Sequence, residues 1–250
     1  MLLRALCFLL FLPISSALVM AQSVSQPQIR VGDSWLFQQT LQTAKDGWKQ
    51  VRFQLDVSRV TPSRIYYSVA QVGLARPPVE LMAAHDWSVA KSVNGKETIV
   101  ARPLDFPLKT GKDWKVELEE KENLGSESFK SRSSNLLYQV VGMENVDVPA
   151  GKFKAWKIEA EGNWTETRPP AVSSSQQTQM TANQVVTVTA AKKAGETTVT
   201  GRIYEAVWYS PETKNYVKYV KERFDPAGVR YFSDVRELVS FKEGLPPSND

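Results

Sequence analysis

Four segments of this chain sort their side chains with a period of two, and that pattern constrains the fold more than any other feature. Val51, Phe53, Leu55 and Val57 alternate with Gln50, Arg52, Gln54 and Asp56. A helix would gather residues three and four apart and mix the two sets; an extended strand separates them. Trp114, Val116 and Leu118 alternate with Lys115, Glu117 and Glu119, and Trp156, Ile158 and Ala160 with Lys157, Glu159 and Glu161. Near the C-terminus the same reading puts Val229, Tyr231, Val235, Val239 and Phe241 on one face. Turn signals fall between these runs at Asp46-Gly47, Pro62-Ser63, Asn94-Gly95, Pro149-Ala150-Gly151 and Asp225-Pro226-Ala227-Gly228. Asn94-Gly95 is the strongest, because both residues tolerate the positive φ of a two-residue hairpin. Short turns favour antiparallel neighbours in sequence order, so the expected fold is all-β, a meander of roughly ten strands. Such a sheet curls, either into a strongly curved sheet or into an open barrel.

Two stretches break the alternation. Pro77-Pro78 through Ala84 can open a short helix, with proline in its first turn, or continue as an irregular strand. The run from about 168 to 184 is polar, opens on proline and lacks an apolar period, so it reads as a flexible loop between strands. A short repeat is also present: Val31-Gly32-Asp33-Ser34-Trp35 recurs in form as Thr110-Gly111-Lys112-Asp113-Trp114. Each copy has a glycine that lets the chain bend into a sheet and a tryptophan that can anchor a core, which fits two similar β halves.

Residues 1–21 carry the layout of a secretory signal peptide. A charged start at Arg4 precedes an apolar run from Leu6 to Leu12 and a small-residue exit at Val19-Met20-Ala21. The apolar run is too short to span a bilayer and is stopped by Pro13 and Ser15-Ser16. The expectation is a periplasmic or secreted protein that does not span the membrane, with one β domain over residues 22–250. The only cysteine, Cys7, leaves with the leader, so packing and not disulfides must hold the remainder together. The net charge of +4 is spread along the chain and gives no basic footprint for nucleic acid.

Catalytic equipment is sparse. Gly32-Asp33-Ser34 has the lettering of Gly-Asp-Ser-Leu hydrolases, but a serine nucleophile needs a base, and the single histidine, His85, has no histidine downstream of it. His85 beside Asp86 does not by itself make a metal site, and no His or Cys spacing fits one. Neither a metal nor a cofactor is expected. Glu117, Glu119, Glu120 and Glu122 read as a solvated strand face. Paired carboxylates of a hydrolase stay open, since pairing is a property of the fold. Seven tryptophans and eight tyrosines could line a cavity in a curved sheet or fill its core.

Val148-Pro149-Ala150-Gly151-Lys152-Phe153, Val207-Trp208-Tyr209-Ser210-Pro211 and Tyr216-Val217-Lys218-Tyr219, with Pro107-Leu108 to Gly111 and Trp114, form a recognisable skeleton. This skeleton resembles a family of exported bacterial proteins with a domain of unknown function, marked by Val-Pro-Ala-Gly-x-Phe and Trp-Tyr-x-Pro motifs and distantly like the open barrels of lipoprotein carriers. The resemblance implies a periplasmic antiparallel β protein and brings no catalytic residue. Trp208, Tyr209 and Lys218 are the candidate ligand contacts. Three functions stay open: a non-catalytic protein binding a lipid, another amphipathic small molecule or an envelope protein; a structural or assembly factor of the envelope; and a hydrolase that uses carboxylates alone.

Overall fold

A computed structural model of the chain describes residues 23–93, 95–125, 128–168, 172–181, 184–193 and 195–245. The expected leader lies outside them, as does Asn94 of the Asn-Gly pair. The regular elements among the described residues are all strands. After the short β1 (Ser23–Val24), the chain meanders through β2 (Ser34–Thr43), β3 (Gly47–Val60), β4 (Ile65–Gln71) and β5 (Val79–Ala83). A hairpin of β6 (Val89–Val93) and β7 (Lys96–Ala101) follows, then β8 (Leu108–Lys109), which pairs with β1. The second meander comprises β9 (Asp113–Gly125), β10 (Ser128–Val148), β11 (Gly151–Arg168), β14 (Thr197–Ser210), β15 (Asn215–Phe224) and β16 (Arg230–Lys242). Between β11 and β14 the chain makes β12 (Val172–Thr181) and β13 (Gln184–Lys193).

Antiparallel pairing of β16 with β2 joins the two meanders into a ten-stranded sheet, ordered β5-β4-β3-β2-β16-β15-β14-β11-β10-β9. The edge strands β5 and β9 do not hydrogen-bond to each other, so the sheet is not closed as a barrel. The β6–β7 hairpin packs beside both edges. Leu81 of β5 and Leu118 of β9 line the same cavity, which requires the sheet to bend round from one edge towards the other.

The repeated Gly-x-x-Trp pattern has a structural counterpart. Gly32 and Gly111 sit at φ of 85° and 82°, conformations that side chains with a Cβ rarely adopt. The Gly32 amide donates to Val57 O at 2.9 Å and the Val57 amide returns a bond to Asp33 O at 2.9 Å. In the second copy Gly111 donates to Val140 O and Val140 to Lys112 O, both at 2.8 Å. Trp35 and Trp114 then turn into the core. Trp35 is fully buried, meets Trp87 edge-on at 5.3 Å, stacks on Phe241 at 5.4 Å and donates its indole N–H to Thr213 O at 2.7 Å. The Trp87 indole donates to the neighbouring Lys214 O at 3.1 Å. Two tryptophans thus hold the β14–β15 turn against the core, and burying each side chain contributes about 1.5–3 kcal/mol or more.

Several expectations change. The ambiguous stretch after Pro77-Pro78 is strand β5, not helix. The excursion expected at 168–184 is not an irregular loop: β12 and β13 pair along their length, with Thr181 opposite Gln184. Cross-strand hydrogen bonds satisfy the backbone of such a ribbon without an apolar face, so the missing period hid it. At the C-terminus, irregularities between Arg223 and Phe224 and between Leu238 and Ser240 break the register of β16 with its neighbours. Each extra residue flips the side on which later side chains emerge. Val229 lies in the turn before β16 and is exposed, while within β16 Asp234 and Leu238 are buried.

Candidate functional site

The bent sheet and the β6–β7 hairpin surround a cavity of about 900 Å³ with Trp87 in its lining, a size typical of small-molecule sites. Its walls differ in chemistry. The side built from the first meander, the hairpin and the segment after it is mostly apolar, with Phe53, Leu55, Val69, Leu81, Val89 and Leu104, and carries one cation, Lys91 of β6. The side built from the second meander carries charge: Arg132, Glu166, Glu205, Lys221, Arg223 and Arg236. An enclosed surface that is greasy on one wall and ionic on the other suits an amphipathic occupant better than a purely apolar one.

The charged wall is largely paired within itself. Glu205, almost fully buried, accepts from the Tyr138 hydroxyl at 2.8 Å and meets Lys221 Nζ at 2.6 Å. Arg236 binds Asp234 at 2.7 Å, and Asp234 also accepts from Gln39 Nε2 at 2.9 Å. The Arg236 guanidinium lies over the rings of Tyr219 and Phe53, at 5.3 and 5.8 Å. Burial opposes its charge, but Tyr216, Asp234 and Tyr219 together outweigh burial and hold its proton more firmly than usual. Near the rim Arg132 reaches Glu166 at 3.3 Å.

Tyrosines line or underlie this wall, and their phenols are held neutral. Burial and then the Glu205 charge push Tyr138 and Tyr219 well above the usual value of 10.0. Burial raises Tyr67, Tyr209 and Tyr216 as well. Below about pH 10 both folded and unfolded chains keep these protons; above it the unfolded chain releases them first, so stability falls as pH rises. The expected slope is about 1.4 kcal/mol per pH unit for each phenol still protonated in the fold. The phenolate absorbance of these five tyrosines should therefore appear together with the loss of β dichroism in an alkaline titration. A tyrosine signal that rises fully near pH 10.0 in a still folded protein would contradict the burial described here.

The sequence candidates lie elsewhere. Trp208 and Lys218 stand opposite each other in the β14–β15 register and are not among the cavity-lining residues. Trp208 donates to Glu144 at 2.5 Å, with Lys157 and Lys218 at 5.5 and 5.8 Å from its ring, and Lys218 pairs with Glu237 at 3.0 Å. Tyr209 is buried in the core, edge-on to Phe106 at 5.2 Å. An irregularity between Trp208 and Tyr209 puts Tyr216 and Tyr219, not Lys218, on the cavity side. Of the seven tryptophans, Trp87 and Trp164 line the cavity, whereas Trp48 is 72% exposed.

His85 lies in a separate outer cleft with Arg30, Ser63, Asp86 and Arg102. Its Nε2 is 2.7 Å from Thr61 O, and Asp86 is held by Arg102 at 3.3 Å. Ser34 accepts a short hydrogen bond from Gln54, and Asp33 beside it is fully buried among structural partners. The Gly-Asp-Ser lettering thus belongs to the start of a strand. No group of three or more metal-ligating side chains occurs among the described residues. No helix among them is long and apolar enough to cross a membrane.

Sequence reasoning missed the charged wall. Glu120 reads as part of a solvated face, and nothing in the spread of charge along the chain singles out Lys221 or Arg223, yet all three line the cavity. Glu120 was in principle legible, since it continues the parity of Trp114, Val116 and Leu118. Lys221 and Arg223 were not, because the irregularity in the β14–β15 pairing shifts their parity.

No protein-family model matches the chain, and none of the curated proteins does. Among solved structures the chain is similar to an exported protein with a YmcC-like fold from Bacteroides fragilis, at 16% identity and TM-score 0.39, over 89% of this chain and 100% of that one. A lipoprotein from Parabacteroides distasonis matches at 14% identity and TM-score 0.40, over 88% and 100% of the two chains. The hypothetical lipoprotein YmcC from Escherichia coli matches at 10% identity and TM-score 0.34, over 87% and 91%. These likenesses are remote and assign no residue a role.

Proposed function

We propose that the protein is an exported, non-catalytic binding protein that holds an amphipathic small molecule in the cavity of its bent sheet. The observation that carries this reading is the two-sided cavity itself, about 900 Å³ with an apolar wall facing an ionic one. Its export rests on the leader-like residues 1–21. The absence of a reaction is supported by how the polar groups are used. Glu205, Glu166 and Asp234 are each held by a cation, which keeps their charge fixed and leaves no obvious shared proton for acid-base work. His85 lies outside the cavity, in the outer cleft.

Native mass spectrometry of protein purified from the periplasm, with organic extraction of the same sample, tests the proposal. A retained small amphiphile is the expected result. A stoichiometric partner protein with an empty cavity would favour the envelope assembly reading, for which β5 offers an exposed sheet edge bearing Val79 and Met82. Turnover of glycan or ester substrates would instead overturn the non-catalytic assignment.

A further inference from the structure

Arg223 is the exception on the charged wall. Lys221, Arg132 and Arg236 each have a carboxylate within 3.3 Å. The Arg223 side chain lines the cavity, but its buried Nε has no hydrogen-bond partner, and its only described interaction is with the Phe232 ring at 5.7 Å. Arg223 lies opposite Ile203 of β14, one inward position above the Lys221–Glu205 pair, so it stands between the buried ion pair and the rim. Asp225, the next inward carboxylate on that segment, is occupied by the amides of Ala227 and Val229, at 2.9 and 2.8 Å. Glu120 lies on the edge strand β9, four strands away along the sheet, where it faces Arg132 in the register. Guanidinium presents several N–H donors in a fixed fork that fits a carboxylate or phosphate, and a buried donor without an acceptor is uncommon in a folded protein.

The second observation is placement. Counting from β15 through β16, β2 and β3 to β4, the apolar residues Phe53, Leu55 and Val69 stand on the opposite wall from Arg223. With strands about 4.8 Å apart, Arg223 and Val69 are separated by about 19 Å along the curved sheet. Across the cavity that the bend surrounds the two are closer than that, and a molecule that reaches both has a charged end and an apolar part.

Resting on the binding role proposed above, we infer that the ligand is an anionic amphiphile, its carboxylate or phosphate held by Arg223 and its hydrocarbon chain lying against Phe53, Leu55, Val69 and Leu81. The neighbouring Lys221 adds positive potential while remaining committed to Glu205. A neutral amphiphile would leave the Arg223 guanidinium without a counter-charge, and a cationic one would place like charges together.

Calorimetric titration of ligand-stripped protein with decanoate, decyl phosphate and decanol, each below its aggregation limit, separates the possibilities. The expected result is tighter binding of one or both anions than of decanol, by about tenfold or more, with the better anion identifying the head group. Arg223→Gln should remove most of that advantage, while a far-ultraviolet dichroism spectrum like the parent's reports that the variant is folded. Decanol bound as tightly as both anions, or an Arg223→Gln protein that keeps its preference for anions, would overturn the inference while leaving the cavity reading intact. Failure of all three probes to bind, together with an empty organic extract, would overturn both.

Discussion

Replacing Asp33 with alanine is expected to lower stability by about 3–5 kcal/mol, among the largest single losses available in this protein. Asp33 is fully buried, and its carboxylate ties together three distant parts of the chain. Oδ2 accepts from the Arg30 amide at 2.8 Å, Oδ1 accepts from the Gly244 amide at 2.8 Å, and Lys214 Nζ lies 3.2 Å from both oxygens. The segment before β2, the end of the chain after β16 and the β14–β15 turn therefore share one anchor. Truncation leaves two buried amides without acceptors and a nearly buried ammonium whose remaining partner is the half-exposed Glu243, at 2.9 Å. The solvated Glu243 carboxylate is a weak substitute for an enclosed one. At about 2–4 °C per kcal/mol for a chain of this size, the melting temperature should drop by roughly 6–20 °C. Asp33→Asn, which keeps one acceptor oxygen and loses the charge, should fall between the two. Removing the stranded cation as well, in Asp33→Ala with Lys214→Ala, should recover part of the loss. An Asp33→Ala protein that melts within about 1 °C of the parent would show that these bonds do not matter to the fold.

The Gly-x-x-Trp segment that holds Asp33, with its second copy, illustrates what could be read in advance. That Gly32 and Trp35 open a strand, and that Gly111 and Trp114 do so again, is local chemistry: a positive φ for glycine and an inward aromatic three residues later. The matched hydrogen bonds to Val57 and Val140 bear this out. The alternation over 51–57, 114–118 and 156–160 was equally legible, because no extra residue falls within those runs themselves, the irregularity opposite Lys157 and Ile158 lying on β10, and their apolar sides turn inward. The ionic partnership of Asp33 was not legible, since its partners are 181 and 211 residues away. Nor was the charged wall of the cavity: Arg132–Glu166 and Lys221–Glu205 are pairs made by sheet order, and an alternation rule assigns every charge to the solvent side. The same rule failed past Trp208 and past Leu238, where one unpaired residue exchanges the two faces of a strand. Trp208 and Lys218 stood out as aromatic and basic residues in a recurrent motif. The cavity instead uses Tyr216 and Tyr219 from the same segment.

Gly162→Ala should lower stability by about 3 kcal/mol, and the sign is the informative part. Glycine inside a strand usually weakens it by about 0.5–1 kcal/mol relative to alanine, so a strand with room at this position would gain from the change. Gly162 has no positive φ that a side chain would resist. It does have the neighbouring strand against its face: a Cβ built there would lie 1.7 Å from Asn135 O and 2.8 Å from Asn135 C. Both are backbone atoms of β10, so no rotamer change can relieve the overlap; the two strands must part where Leu136 opposes Gly162. The pair is long, 21 residues in β10 and 18 in β11, and strands of that length must coil to let the sheet bend round its cavity. Gly162 lies on the inward face between Ala160 and Trp164, where that coiling brings the backbones together. Gly195, exposed and with nothing within 4 Å of a built Cβ, is the control, and alanine there should change stability by no more than about 0.5 kcal/mol. Thermal melts of the two variants beside the parent decide the matter. A Gly162→Ala protein as stable as the parent, or more so, would mean that the sheet does not bend this tightly at β10 and β11, and the enclosed cavity that depends on the bend would go with it.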